Sequence, residues 1–269
     1  MVRTHVVKVP LPEGAIIDVG GGLLVASPEL CFFQLANKLP LANTLQLGLE
    51  LCGKYALPAN NAVRKNPEFT EKGFRNRPAL TSIEKLTSFL ERSSGVFYQR
   101  RFHSILRYID NGSASPMESR LLILLTLSYR HGGFGLPMPE LDAAVEPAKS
   151  TLKTARSKSR QDLHRLSKYD KAYRCDLYWR ALKLAVEYDS DIYHLLSEQK
   201  AEDSKKKNYL LSKGIHVISV SRLQMRSVEE VERVAKQLAT RHGKQLRHNE
   251  NPKWAEKHLQ LRRQLKLLR

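Results

Sequence analysis

The stretch "LAVEYDSDIYH", residues 184–194, places three carboxylates, Glu187, Asp189 and Asp191, within five positions at the end of a strand-like run. Carboxylates that close repel one another unless water screens them or a positive group sits among them. The stretch is either a solvated strand end or a place built to hold a cation. Side chains alternate along a strand, so Leu184, Val186 and Tyr188 share one face while Ala185, Glu187 and Asp189 share the other.

A second strand-like run, "YRCDLYW" at 173–179, ends about two residues before the first, "LKLAVEYD" at 182–189, begins. If Arg180–Ala181 close a tight turn, Asp176 stands opposite Ala185 and diagonal to Glu187, about 7–8 Å away on the same face. Asp176 and Glu187 then converge on one ion, with Asp189 about 7 Å further along the strand. An all-oxygen set suits a hard cation, Mg2+ or Mn2+. Such an ion activates water and neutralises charge growing on a phosphate oxygen. Periodicity alone does not separate this site from a polar hairpin face turned to solvent. Asp191 falls beyond the strand and reads as solvated.

The elements that position these residues are legible in outline. "SPEL" (27–30), "TSIE" (81–84) and "SPME" (115–118) each read as a helix start, the last two with capping-box spacing. Glu118 is the third helical residue of the last box, which accounts for it without further chemistry. The helix after Ser115, "MESRLLILLTLSYR", is apolar on nearly every side and is predicted to be central and buried. Residues 57–78 read as an exposed excursion, and "DNGSASP" (110–116) as a domain boundary. Further strands are predicted at 137–146 and 215–222. Between the acidic pair and the last strand lies the charged helix "SEQKAEDSKKKNYLLSK", ended by Gly214. Two helical stretches finish the chain, the last from about Pro252. The order describes an α/β or α+β core, with an N-terminal α+β domain over 1–110 and a second domain over 111–269.

Charge points to a partner class, although ribosome-associated and membrane-surface proteins share such a basic balance. Lys and Arg number 45 against 27 Asp and Glu, a net +18, and such an excess attracts polyanions, nucleic acid foremost. The basic stretch 149–174, with Arg156, Lys158, Arg160 and Arg174, is predicted to grip phosphates, as are Lys205 and the terminal-helix pair Arg262 and Arg263. Tyr173, Tyr178 and Trp179 either stack on bases or pack the hairpin. The longest apolar run, Leu121–Leu127, is far short of the roughly 20 residues that span a bilayer, so no membrane partner is expected. "MVRTHVVKVPLPEG" lacks a signal-peptide core, and Cys31, Cys52 and Cys175 form neither a metal pair nor a disulfide framework. Both point to a cytoplasmic chain with free thiols. No phosphate-binding glycine loop, H-E-x-x-H or serine elbow occurs.

Taken together, "YRCDLYWRALKLAVEYDSDIYH" and "DSKKKNYLLSKGIHVISVSR" resemble the restriction-endonuclease-like PD-(D/E)XK superfamily. The likeness is greatest to its bacterial branch similar to very-short-patch-repair endonucleases, over about residues 113–225. The resemblance implies a restriction-endonuclease-like core, a mixed central sheet flanked by helices. It matches Asp176 to the first acid, Glu187 and Asp189 to the E-x-D pair, and His194 to the trailing histidine. Asp203 and Lys206 match the helix D-x-x-R, Gly214 the glycine before the last strand, and Glu118 an acid that assists the metal. Superfamily nucleases usually carry a lysine two residues after the glutamate, where Asp189 stands here. Lys206 on the following helix is the candidate to replace it, unless it belongs to a solvated "KKK" face. Ser190 and Arg180 also depart from the branch pattern.

Residues 1–110, with "LLVASPELCFFQLANKLP", are similar to a region of abortive-infection-type antitoxin proteins. That implies a domain for binding DNA, a partner protein or a second copy. The expected function is a metal-dependent DNA endonuclease of phage defence or DNA processing, using Mg2+ or Mn2+ at Asp176, Glu187 and Glu118. The alternative is a catalytically inactive nuclease-fold DNA-binding regulator or antitoxin-like protein. A basic RNA-binding scaffold is the third reading.

Overall fold

Ser27 and Ser115 start helices where the sequence places them. The Ser27 hydroxyl accepts the Leu30 N–H and the Ser115 hydroxyl that of Glu118, both at 3.2 Å, with proline next in each case. The computed structural model describes residues 10–58, 73–93, 95, 97, 99–145, 173–189, 197–248 and 252–268. They divide into two units, Met1–Met138 with Val228–Arg269, and Pro139–Ser227.

In the first unit, β1 (Ile16–Asp18) and β2 (Leu24–Ala26) form a hairpin ahead of α1 (Pro28–Ala36) and α2 (Leu41–Leu51). A two-residue ladder joins β3 (Tyr55–Ala56) to β4 (Arg75–Asn76), and α3 (Ile83–Arg92), α4 (Gln99–Leu106) and α5 (Pro116–Thr126) follow. Phe33 is in ring contact with Phe32, Phe89 and Phe102, all buried. The start of α3 lies one residue later than expected. Thr81 gives its hydroxyl to Glu29, and Ser82 becomes the cap, accepting the Lys85 N–H.

The helix α5 is buried on nearly every side, as its composition requires. The chain does not part at 110–116. The Lys54 N–H bonds to Ser113 O at 2.8 Å, Gly112 N–H to Cys52 O at 3.1 Å, and Ser119 Oγ lies 2.9 Å from the Tyr55 hydroxyl. Those bonds tie the turn and α5 to α2 and β3, so the division falls after Met138 instead.

The second unit carries β5 (Glu140–Val145), β6 (Tyr173–Trp179), β7 (Leu184–Asp189), α6 (Ser197–Ser212), β8 (His216–Ser221) and α7 (Arg222–Arg226). The sheet order is β5-β6-β7-β8. The first two pairings are antiparallel, and β7 and β8 run parallel with α6 between them in sequence. Helices with this mixed sheet make the chain α/β. Gly214 ends α6 at φ +71°, a conformation that suits glycine. Leu184, Ala185 and Val186 are all fully buried, so both faces of β7 are covered. The face carrying Ala185 and Glu187 is core, not a solvated hairpin face.

The β6–β7 connection differs from the expected two-residue turn. Arg180–Leu182 form a 3-10 turn and Lys183 takes φ +48°. A two-residue hairpin needs glycine or asparagine at positive φ, and Arg180–Ala181 offers neither. The longer loop pairs Trp179 with Leu184, Tyr178 with Ala185 and Leu177 with Val186. One further step of that register sets Asp176 against Glu187, nearer than the diagonal expected.

The chain then returns to the first unit through α8 (Val228–Arg241) and α9 (Trp254–Gln264). No helix among the described residues is long and apolar enough to cross a membrane.

Candidate functional site

Lys206 is the one member of Lys205–Lys206–Lys207 that leaves the solvent. Its neighbours on α6 are exposed, and three and four residues on, Tyr209 and Leu210 turn inward with it. Leu210 packs with Ala185 and Cys175 in the core of this unit. The side chains at this spacing carry the Lys206 ammonium onto β7, where Nζ lies 2.5 Å from Glu187 Oε2. Their side chains keep only 27% and 16% exposure. The reading of Lys206 as part of a solvated face is overturned.

Asp176 completes the group. Its Oδ2 accepts the Tyr188 N–H at 2.7 Å, tying the middle of β6 to β7. Next to it the β5–β6 ladder pairs Leu141 with Leu177 and Ala143 with Cys175 but skips the step between, where Asp142 takes φ +44°. Core residues on the two sides of that step are Cys175 and Tyr178, three apart instead of two. Strict alternation is therefore interrupted at Asp176.

Charge coupling is strong. Burial drives the Glu187 carboxyl above its usual range, and Lys206 pulls part of that back. Burial works against the Lys206 ammonium, yet Glu187 first and then Asp176 hold it charged, above its ordinary value. Cys175 is packed beside them. Its thiol is pushed up to about 12 by burial first and by the Glu187 charge next, so it is no nucleophile.

Glu187 Oε1 is buried and has no hydrogen-bond partner of normal geometry among the described residues. The Asp176 N–H and the Cys175 thiol both approach the Glu187 carboxylate and stabilise it in part, and a cation would offset more of its desolvation cost. Among the described residues no group of three or more His, Cys, Asp or Glu is placed to hold a metal. The protein would supply Asp176 and Glu187 alone. That suffices for Mg2+, which commonly uses one or two carboxylates and fills its octahedron with water and substrate phosphate.

The other expected site residues fall out as follows. Asp189 pairs with Ser221 at the end of β7 and is half-buried. His194, Arg156, Lys158 and Arg160 lie outside the described residues, as does Asp191. Glu118 is in the first unit, where its Oε2 accepts the Ala114 N–H at 2.9 Å as a helix-start contact. Arg174 is exposed and bonded to Asp142, Lys205 is exposed and paired with Glu202, and Arg263 is exposed. Arg262 is corrected: it is fully buried, at 0% exposure, and cannot grip a phosphate. It sits on the core side of α9 with Leu261 and Leu265, a face its terminal-helix context concealed. Tyr178 and Trp179 are buried and Tyr173 packs on Tyr209. These three build the hairpin. No known protein family, curated protein or solved structure matches the chain.

Proposed function

We propose that the chain is a metal-dependent DNA endonuclease whose site is Asp176, Glu187 and Lys206. The observation that carries this reading is the contact of Lys206 Nζ with Glu187 Oε2, beside the carboxylate of Asp176. A lysine from α6 thus reaches the glutamate whose own strand lacks one, as the resemblance requires. The strand order, with β7 and β8 parallel and a helix between them, agrees with the mixed sheet the resemblance implies.

Mg2+ or Mn2+ held by Asp176 and Glu187 would lower the pKa of water and neutralise charge developing on the phosphate. The chain's own residues do the positioning. The Tyr188 N–H fixes the Asp176 carboxylate, and the sheet holds Glu187 rigidly. Lys206, kept protonated by both acids, faces the phosphate as a fixed positive charge that orients the attacking water and favours the transition state. The surplus of Lys and Arg retains the DNA backbone.

One observation favours a second reading, a nuclease-fold DNA-binding regulator without activity. The Lys206 ammonium already satisfies Glu187 Oε2 where a cation would sit. Titrating Mn2+ into the protein by calorimetry separates the two. The nuclease reading expects saturable binding in the wild type that is lost in Asp176→Ala. Absent Mn2+ binding, together with tight salt-dependent DNA binding, supports the regulator.

A further inference from the structure

A second cluster of unneutralised charge lies in the first unit, away in sequence from the acidic pair. The 3-10 turn Tyr129–His131 projects Arg130 and His131, and α9 brings Lys257 to the same place. They line a cavity of about 340 Å3 together with the amides of Gln260 and Gln264. Its apolar side is made by Leu41, Ala42 and Leu127. No acidic side chain lines it, and among the described residues Arg130, His131 and Lys257 have no ion-pair partner.

The arrangement is fixed, not incidental. Gly132, at φ +86°, follows the turn so closely against α9 that a Cβ there would stand 2.6 Å from the Lys257 carbonyl carbon and oxygen. The His258 Nδ1–H donates to Gly132 O at 2.7 Å, and the Trp254 Nε1–H donates to Gly133 O at 3.0 Å. These bonds fix the backbone of the turn against α9, while the Arg130 and His131 side chains themselves are exposed at the mouth of the cavity. Burial, then Lys257, Arg107 and Arg130, keep the His131 imidazole below its ordinary range. No acid lines the cavity, so water alone screens these groups from one another, and an anion would supply a direct partner. The start of α2 borders the same space without a side-chain cap or an acid in its first turn, so its dipole acts in the same direction.

We propose that this cavity binds a phosphate monoester, with Arg130, His131 and Lys257 on the phosphate and the apolar side against the remainder of a nucleotide-sized ligand. The volume lies near the lower end of small-molecule sites, roughly 300–1,000 Å3. Two cations, with an imidazole that takes up a proton as the ligand binds, suit a dianion better than a carboxylate, and the amides of Gln260 and Gln264 add donors. The monoester belongs either to a free nucleotide or to the 5′ end of a DNA strand. The inference does not depend on the nuclease reading, since every residue named is in the first unit.

The test uses the full chain with inorganic phosphate, adenosine monophosphate, and one oligonucleotide with and without a 5′-phosphate. Binding is followed by calorimetry and by the NMR titration of His131. Saturable binding of phosphate and the nucleotide is expected, with a rise in the His131 pKa on binding. Arg130→Gln and Lys257→Gln are each expected to weaken binding about tenfold, while Lys257→Arg retains it. Preference for the phosphorylated oligonucleotide over the nucleotide assigns the site to DNA ends, and the opposite order to free nucleotides. Either supports the site. No saturable binding of any phosphate probe, or affinities and a His131 titration unchanged in Arg130→Gln and Lys257→Gln variants that stay folded, overturns it.

Discussion

Lys206 Nζ lies 2.5 Å from Glu187 Oε2, and the contact joins the middle of α6 to the end of β7 across 19 residues of chain. Removing one partner strands the other charge. Lys206→Met is expected to cost about 1–3 kcal/mol, less than the roughly 3–5 kcal/mol of a fully buried pair because both groups keep some water. Lys206→Met with Glu187→Gln should recover much of that loss. Urea denaturation of the two single variants and the double variant gives the coupling, and additive losses would contradict the pairing.

The imidazole of His258 is pushed down to about 4, chiefly by burial, and its Nδ1–H is held by Gly132 O. The unfolded side chain titrates near 6.5. Between those values the unfolded state binds the proton and the folded state does not, so stability falls as pH drops from about 6.5 toward 4. The loss from this group approaches about 3 kcal/mol at the lower end. Melting temperatures between pH 7 and 4 should show the slope, and His258→Gln should flatten it.

Gly132 meets the backbone of Lys257 and His258 where a methyl group has no space, and it does so at positive φ. Gly132→Ala is expected to lose at least about 2 kcal/mol, from strain and from overpacking together. Gly243, also at positive φ, has nothing within 4 Å of such a methyl group. Gly243→Ala should therefore cost less, and equal losses by urea denaturation would contradict the close approach.

Arg262 and Arg263 are adjacent but opposite in environment. Arg262→Ala should destabilise the chain by about 2–4 kcal/mol through lost packing. Arg263→Ala should leave stability within about 0.5 kcal/mol. If Arg263 meets DNA, its loss also lowers the salt slope of binding by about one unit.

Much of this was readable in the chain because the signals were local. The serines before proline at 27 and 115, the strand at 173–179, the one read at 182–189 that begins at Leu184, and Gly214 after α6 each follow from neighbours in sequence. The selection of Lys206 from three consecutive lysines was also within reach, since Tyr209 and Leu210 mark the inward face of α6. What escaped depends on distant partners. The turn after Trp179 shifted the register by two, and the kink at Asp142 interrupted the alternation on which the face of Asp176 rested. Thr81 lost its capping role to Glu29, 52 residues away. Arg262 looked like surface because charge in a terminal helix usually is, and only the packing of α9 shows otherwise.

Nicking of supercoiled plasmid in Mg2+, with EDTA as the control, bears most directly on the assignment of Asp176 and Glu187. The wild type is expected to convert the plasmid to open-circular or linear form, and EDTA to stop it. Asp176→Ala and Glu187→Ala are each expected to cut at least about a hundredfold more slowly while binding DNA as tightly as the wild type. Undiminished cleavage by both variants, or a wild type inert in Mg2+ and Mn2+ alike, would contradict the account.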